Sequence, residues 1–350
     1  MKVSILTFSK EYNYGANLQC YALSKVIESF GHHVELIDAQ LKPLPASLIT
    51  RLLRYPTERA FKNFWTTNLP SFTRKYNSLS ELMSNPPKSD ALIVGSDQVW
   101  NPDVTNRLDP MVYFFPYACE GQRRISYAAS IGSSVWKHPE LVSHIEKELK
   151  KFDAISVRED EAVELCKTTF GVDASVVLDP TLLLGKYDDI CGSFDAARMT
   201  NELVLFKFVK DKDCDNACLS FARRHTLKPV HLTNRRMVKG FTYRPNASIS
   251  QWLNTIRYAD FVVADSFHCM VFCILFHKQF AILPSFKGRS GRMESLLRQL
   301  NLSDRFCHDV SDFNNRSTEL YNSQIDYNLV ETKINELRSQ SLDFLKRALG

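Results

Sequence analysis

His268 stands in the run Asp265-Ser266-Phe267-His268, where an apolar strand-like stretch, Phe261 to Ala264, gives way to a strongly apolar helical one. An imidazole gains and loses its proton near neutral pH. At the carboxyl end of a buried strand it is the best general acid/base candidate among the nine histidines; the alternative is an ordinary structural histidine. Arg158 ends another strand-like run, Ala154 to Val157, with Glu159, Asp160 and Glu161 behind it. Its planar fork can hold a carboxylate or phosphate, or pair with those acids. Lys287-Gly288-Arg289-Ser290-Gly291-Arg292 puts three cations, Arg289 and Arg292 among them, at the start of a helix, which describes an anion site or a plain surface loop.

Two further loops carry polar side chains of the kind that bind hydroxyls. Asn13-Tyr14-Gly15-Ala16-Asn17-Leu18-Gln19 lies between a strand and a helix, so its amides face outward from a helix amino end. Asn13, Tyr14 and Gln19 can hydrogen-bond a sugar or anion there, or Asn13 simply caps the helix. Gly95-Ser96-Asp97-Gln98-Val99-Trp100-Asn101 occupies the same place after a later strand. A carboxylate (Asp97), two amides (Gln98, Asn101) and an indole (Trp100) suit a saccharide, whose hydroxyls need paired acceptors and whose apolar face needs a flat ring. Asp211-Lys212-Asp213 resembles the acidic pair of metal-dependent glycosyltransferases, but reads better as a solvated loop. No metal site is expected.

The elements that must position these residues alternate strand with helix, the pattern of parallel sheets with crossover helices. Val3 to Phe8, Val34 to Ile37, Ala91 to Val94, Ile125 to Ala129, Ala154 to Val157 and Val176 to Leu178 read as strands of a first doubly wound domain, 1–184. Helices are expected at Leu18 to Phe30, Leu141 to Phe152 and Glu161 to Phe170. After a polar stretch, Gly185 to Asn201, a second series fills 185–350, with strands at Leu203 to Val209, Val230 to Leu232, Phe261 to Ala264 and Phe280 to Leu283. A terminal amphipathic helix runs from Leu329 to Leu349. Two Rossmann-like domains in tandem are expected to hold ligands beyond the carboxyl ends of their strands.

With 350 residues, 44% hydrophobic and 24% charged, the chain has an ordinary globular composition. Its longest apolar run, Cys269 to Phe276, is well short of the ~20 residues that cross a bilayer. No secretory leader is read behind Met1, and a cytoplasmic protein is expected. The nine cysteines, without any Cys-x-x-Cys, read as reduced core thiols. No Gly-x-Gly, Gly-Lys-Ser/Thr, Gly-x-Ser-x-Gly or His-Glu-x-x-His occurs, which removes dinucleotide, P-loop, serine-hydrolase and zincin readings.

The net charge of +5 is uneven: residues 40–89 hold eight cations and two anions, leaving the rest at −1. With Leu48, Ile49, Leu52, Leu53, Phe61, Phe64 and Trp65 between the charges, this excursion can lie on the inner face of an anionic membrane, or pack its apolar stripe on its own domain. Nucleic acid is not an expected partner, since the rest of the chain adds no basic face.

Seven collinear motifs together resemble the polysaccharide pyruvyl transferase family: Asn-Tyr-Gly-Ala-x-Leu-Gln at 13–19, Gly-Ser-Asp-Gln-Val-Trp-Asn at 95–101, Ser-Tyr-Ala-Ala-Ser-Ile-Gly at 126–132, Ser-Val-Arg-Glu at 156–159, Leu-Asp-Pro-Thr-Leu-Leu at 178–183, Asp-Ser-Phe-His at 265–268 and Arg-Met-Glu-Ser-Leu-Leu at 292–297. The resemblance spans about residues 1–305. It implies a GT-B-like α/β fold and transfer of pyruvate from phosphoenolpyruvate onto two hydroxyls of a cell-envelope saccharide or its lipid-diphosphate-linked precursor, as a cyclic ketal. By the same resemblance His268 is the catalytic histidine and Arg158 a donor-binding arginine. Gly15, Ser266, Phe267, Arg289 and Arg292 are expected around the donor, and Asn13, Tyr14, Gln19, Asp97, Gln98, Trp100 and Asn101 around the acceptor. Two positions depart from the family: Cys269 stands where glycine commonly follows the histidine, and Ser266 where one branch has an arginine. Fixed cations and an acid/base group suffice for this chemistry, so no cofactor is expected. A nucleotide-sugar glycosyltransferase of similar fold and a non-catalytic saccharide-binding relative are the alternatives.

Overall fold

The computed structural model describes residues 1–39, 48–106, 108–232, 238–285 and 290–350, with the backbone alone for 48–55. The chain forms two compact units, Met1–Ser47 with Trp65–Leu184 and Asn335–Gly350, and Leu48–Phe64 with Gly185–Ile334.

The first unit is built on a seven-stranded sheet, β1 (Lys2–Leu6), β2 (His33–Ala39), β3 (Phe72–Tyr76), β4 (Ala91–Val94), β5 (Arg123–Ala129), β6 (Ala154–Val157) and β7 (Ser175–Val176). Their order is β3-β2-β1-β4-β5-β6-β7 and every pairing is parallel. Strand order reverses between β1 and β4, the switch point where doubly wound sheets open a crevice. Both faces of β4 are buried: Leu92 and Val94 join one core with Trp100 and Phe114, while Ala91 and Ile93 join another with Val3 and Ile5. A period of two between two apolar layers requires such an uninterrupted hydrophobic run.

Helix α1 (Tyr14–Ser29) follows β1, α2 (Leu48–Asn68) and α3 (Leu79–Ser84) flank β3, and α4 (Pro102–Thr105) follows β4; α5 (Val142–Leu149), α6 (Asp160–Phe170) and α7 (Pro180–Leu184) complete the series. α6 stops at Gly171, whose φ of +64° is open to glycine at little cost.

The second unit begins with the short α8 (Asp188–Cys191) and holds a five-stranded sheet, β8 (Glu202–Phe206), β9 (Lys228–His231), β10 (Thr242–Tyr243), β11 (Phe261–Ala264) and β12 (Gln279–Ile282), parallel throughout in the order β10-β9-β8-β11-β12. α9 (Lys212–Arg224), α10 (Ile249–Tyr258), α11 (Phe267–Leu275), α12 (Gly291–Gln299) and α13 (Val310–Asn322) follow in turn. The α10 start is set by a reciprocal capping box between Ser248 and Gln251. α11 is buried from Phe267 to Ile274, as its nearly unbroken apolar sequence demands.

Two stretches leave the simple division at 184/185. Helix α14 (Tyr327–Leu349) starts in the second unit, but Leu345, Ala348 and Leu349 pack into the first unit's core with Val3 and Ile5. Arg123 also donates to the Ala348 carbonyl at 3.1 Å, and the Leu178 amide donates to Ser341 at 3.0 Å. The basic excursion is likewise divided: α2 up to Phe64 belongs to the second unit, and β3 adds an edge strand to the first unit's sheet, which the sequence reading did not foresee.

Where the side chains of α2 in this excursion are described, its apolar residues turn inward and its cations outward. Phe61 and Phe64 are buried while Arg59 and Lys62 are exposed, so the apolar stripe of α2 packs inward. Trp65 donates its indole N–H to Asn17 at 2.5 Å and stacks on Tyr12. Lys42 and the side chains of Leu48, Ile49, Arg51, Leu52, Leu53 and Arg54 lie outside the described residues. Among the described residues, no helix is long and apolar enough to cross a membrane.

All nine cysteines are free thiols, and Cys119 alone is exposed. Cys214/Cys218 and Cys269/Cys273 share helix faces inside α9 and α11, where burial raises the Cys269 thiol far above its ordinary value.

Candidate functional site

In the first unit, the loops beyond β1, β4, β5, β6 and β7 are tied into one buried polar network. Gln19 donates to Thr7 Oγ1 at 2.9 Å, and Thr7 donates to the Ser96 carbonyl at 2.7 Å. Ser96 Oγ donates to Asp179 at 2.8 Å, and Arg158 donates to the same carboxylate oxygen at 2.8 Å. Asp179 also accepts the Thr181 amide at 2.9 Å and its hydroxyl at 2.5 Å. Asp97 and Glu159 each lie 3.9 Å from the Arg158 guanidinium. Glu159 in turn accepts from Ser130 Oγ at 2.7 Å and from the amides of Ile131 and Gly132 at 3.0 Å.

Backbone irregularities aim these groups. Ala128 in β5 takes a left-handed φ of +54°, and the register with β6 shifts between Ser126 and Ala129. Ser126 and Ser156 hold this bulge by donating to each other's carbonyls at 2.9 and 2.8 Å. Asp97 has a φ of +82°, and a left-handed non-glycine conformation persists only where its surroundings over-determine it. Gly132 has a φ of +71°, strained for any residue with a Cβ, and a Cβ there would also meet Gln98 Oε1 at 2.5 Å.

The network shows where several of the expected site residues lie. Gln19 is fully buried on the inner face of α1, and its amide N–H₂ donates to Thr7, the Phe8 carbonyl and the Ala16 carbonyl. Trp100 is 2% exposed, its ring stacked on Phe114 at 5.5 Å and its N–H on the Tyr113 carbonyl at 3.2 Å, so its face is closed to a sugar. Gln98 and Asn101 bond each other at 2.8 Å, and Asn101 also caps α4. Asn13 caps α1 through the Ala16 amide at 3.3 Å, Gly15 is buried in the first turn, and burial pushes the Tyr14 hydroxyl up.

Arg158, expected to offer its fork to a donor, has a side chain only 2% exposed and sits among three carboxylates. Burial opposes its charge, but Asp179, Asp97 and Glu159 outweigh burial and raise its proton affinity. Three acids thus surround one cation, and Asp179 takes its shortest contact. Sequence reading placed Arg158 and Asp97 in separate roles. The Leu-Asp-Pro-Thr-Leu-Leu segment was the available signal for Asp179, without saying what it meets.

The carboxyl edge of the second unit's sheet carries a different set. His268 lies in the first turn of α11, directly past β11, 8% exposed, with Phe267 edge-on at 5.3 Å. Ser266 caps α11 through the Cys269 amide at 3.3 Å, and Phe267 is buried, so their side chains serve the helix start. Asp265 binds together the loops beyond β8, β11 and β12: it accepts the Phe208 amide at 3.0 and 3.1 Å and the Ser285 hydroxyl. Burial raises its carboxyl above the ordinary value against these bonds and the charge of Lys207.

Lys207 at the end of β8 is buried and 3.1 Å from Asp211. Burial works against its charge, but Cys214, Asp211 and Asp265 overcome it and hold the ammonium protonated. Asp211 is the N-cap of α9, accepting the Cys214 amide at 3.0 Å, and Asp213 is exposed in the first turn; this is a helix start rather than a nucleotide-metal clamp. Arg292 sits half-buried in the first turn of α12, beside Glu294, and Arg289 lies outside the described residues. Sequence reading missed Lys207 and Ser285, and the role of Asp265 between them, because these residues are distant from one another in sequence. His268 and Arg292 it placed at strand and helix ends.

Two parallel doubly wound sheets with polar clusters beyond their carboxyl edges define the GT-B type, and solved structures share that fold. A UDP-N-acetylglucosamine 2-epimerase of Methanocaldococcus jannaschii, solved with UDP-GlcNAc and UDP, superposes with a TM-score of 0.54 at 10% identity, covering 96% of this chain and 99% of that one. A putative UDP-N-acetylglucosamine 2-epimerase of Listeria monocytogenes gives a TM-score of 0.57 at 10% identity over 94% and 90%. Arabidopsis thaliana UGT89C1 complexed with UDP-L-rhamnose gives 0.56 at 8% over 98% of both. No curated protein sequence matches the chain. The polysaccharide pyruvyl transferase family model matches residues 13–285, and the chain belongs to that family. It is a transferase of the GT-B fold.

Proposed function

We propose that this protein moves pyruvate from phosphoenolpyruvate onto two hydroxyls of a cell-envelope saccharide, releasing phosphate. The observation that carries the reading is His268, held in the first turn of α11 immediately beyond β11 in a chain of this family. The imidazolium gives its proton to the methylene of phosphoenolpyruvate, which leaves a cationic carbon bearing methyl, carboxylate and phosphate oxygen. One sugar hydroxyl adds to that carbon and loses its proton to the imidazole. The carbon–oxygen bond to phosphate then breaks, and the second hydroxyl closes the ketal, its proton passing to the departing inorganic phosphate. The donor needs fixed cations for its carboxylate and phosphate. Among the described residues, Lys207 and Arg292 on the second unit's carboxyl edge are the candidates for this role. The reaction requires neither a redox cofactor nor a metal.

In chelator, phosphoenolpyruvate should protect the protein against heat more than UDP- or CMP-sugars do at equal concentration. With a galactose- or mannose-terminated acceptor it should release phosphate and yield a product carrying one pyruvyl ketal. His268→Ala should lower transfer about 10²–10⁴-fold at unchanged melting temperature. Protection by a nucleotide sugar alone, with nucleotide released on adding acceptor, would replace this reading with glycosyl transfer. Acceptor binding with no turnover would leave a non-catalytic saccharide binder.

A further inference from the structure

The second unit contains a cavity of about 600 Å³ that the transfer chemistry does not use. Thr200 and Glu202, at the start of β8, and Thr255 and Tyr258, at the end of α10, form its floor, with Arg198, Arg244, Gln251 and Asn254 around them. β8 and β11 run parallel, and His268 and Lys207 lie beyond their carboxyl ends. The cavity is therefore at the other end of the sheet, roughly 13–16 Å away along five residues of strand.

Its polar groups fall into committed and uncommitted sets. Glu202 is neutralised: Arg244 donates to it at 2.5 Å and Thr200 at 3.1 Å. Arg244 also donates to Thr255 at 3.3 Å, so its fork is fixed in place. The Arg198 side chain, by contrast, lies over the Tyr258 ring at 4.4 Å and makes no ion pair or hydrogen bond among the described residues. Its guanidinium is the surplus charge, since the nearest acid in sequence, Asp195, caps the Ala197 amide. Opposite in character, Asn254 Oδ1 is buried without a hydrogen-bond partner among the described residues. An acceptor of this kind, withdrawn from water and unmatched, costs ~1–3 kcal/mol unless something donates to it. Gln251 uses its Oε1 in the capping box, which leaves its amide N–H₂ to face outward.

We propose that this cavity binds an anionic sugar unit, carboxylated or phosphorylated, at a site separate from the reacting centre. The anion meets Arg198, whose flat guanidinium is preoriented by Tyr258. Sugar hydroxyls supply the donor that Asn254 Oδ1 lacks and the acceptor that the Gln251 amide seeks. A bare inorganic anion would answer only Arg198, whereas a neutral sugar would answer only Asn254 and Gln251. The volume matches that of typical small-ligand clefts. The inference goes beyond the transfer reaction and stands without it.

The test uses the full chain and titrates D-glucuronate, D-glucose 1-phosphate, D-glucose and inorganic phosphate by saturation-transfer NMR and calorimetry. At least one anionic sugar should bind about tenfold or more tightly than either glucose or phosphate, and which one binds identifies a carboxylated or a phosphorylated ligand. Arg198→Ala should weaken that binding about tenfold or more, the loss of one charge-assisted contact. Among the described residues the exposed Arg198 side chain is held by the ring alone, so the melting temperature should hold; Arg198→Glu should abolish binding. His268→Ala should leave binding unchanged, which separates this site from the reacting one. Phosphate binding as well as glucose 1-phosphate, no anionic sugar binding at about 10 mM, or binding lost in His268→Ala but retained in Arg198→Ala would each overturn the proposal.

Discussion

Replacing Arg158 by leucine removes the single cation from a site where Asp179 is 0% and Glu159 4% exposed at the side chain. Breaking a buried ion pair by deleting one partner costs about 3–5 kcal/mol, because the remaining charge has neither water nor a counter-ion. Asp179 keeps Ser96 Oγ and both Thr181 donors, so the lower end, ~3 kcal/mol, is expected. At ~2–4 °C per kcal/mol for a unit of this size, the melting temperature should fall by roughly 6–12 °C. Thermal unfolding followed by circular dichroism at pH 7.5 measures this directly. Asp179→Asn added to Arg158→Leu should recover part of the loss, since one uncompensated charge goes with it. Arg158→Lys should fall between, keeping the charge while losing the fork. An Arg158→Leu protein that melts within about 2 °C of wild type, with a raised KM for phosphoenolpyruvate, would show that the guanidinium serves the donor and that its pairing with Asp179 is incidental.

Three other substitutions probe the frame. Leu345→Ala should destabilise the first unit by about 2–5 kcal/mol, because Leu345 is fully buried against that unit's core; urea unfolding within 0.5 kcal/mol of wild type would place the helix end outside the core. Trp100→Ala should cost about 3–5 kcal/mol of stability, and a stable variant with selectively lost acceptor binding would restore Trp100 to the sugar side. Asp265 has a folded-state carboxyl raised above its ordinary value, chiefly by burial. The stability it contributes is therefore full below about pH 4 and declines as pH rises through the folded value. Asp265→Asn should remove that decline, so the variant's stability relative to wild type should rise between pH 4 and pH 7 in urea titrations; a constant difference would rule the carboxyl out as the titrating group.

The positions of the strands and most helices were legible in the sequence because the strands are buried on both faces and so run apolar without interruption, as in Ala91 to Val94 and Phe261 to Ala264. β3 and the two-residue β10 were not: an edge strand reading Phe-Thr-Arg-Lys-Tyr has one wet side and no such run, and Thr242–Tyr243 is too short to carry a pattern. His268 was legible by its place after a buried strand, and the family by seven motifs in order. What those motif residues touch was decided only by tertiary structure. Trp100 and Gln19 look like ligand contacts when read along the chain, yet an indole stacked on Phe114 and an amide facing Thr7 are determined by partners brought in from other elements. The same holds for Arg158, whose nearest sequence acid, Glu159, turns to Ser130 and the 131–132 amides, while Asp179, 21 residues on, takes the guanidinium. Helix periodicity marked Leu345 and Leu349 as apolar, but not the unit whose core they enter, because a stripe of leucines specifies burial without specifying the surface that buries it.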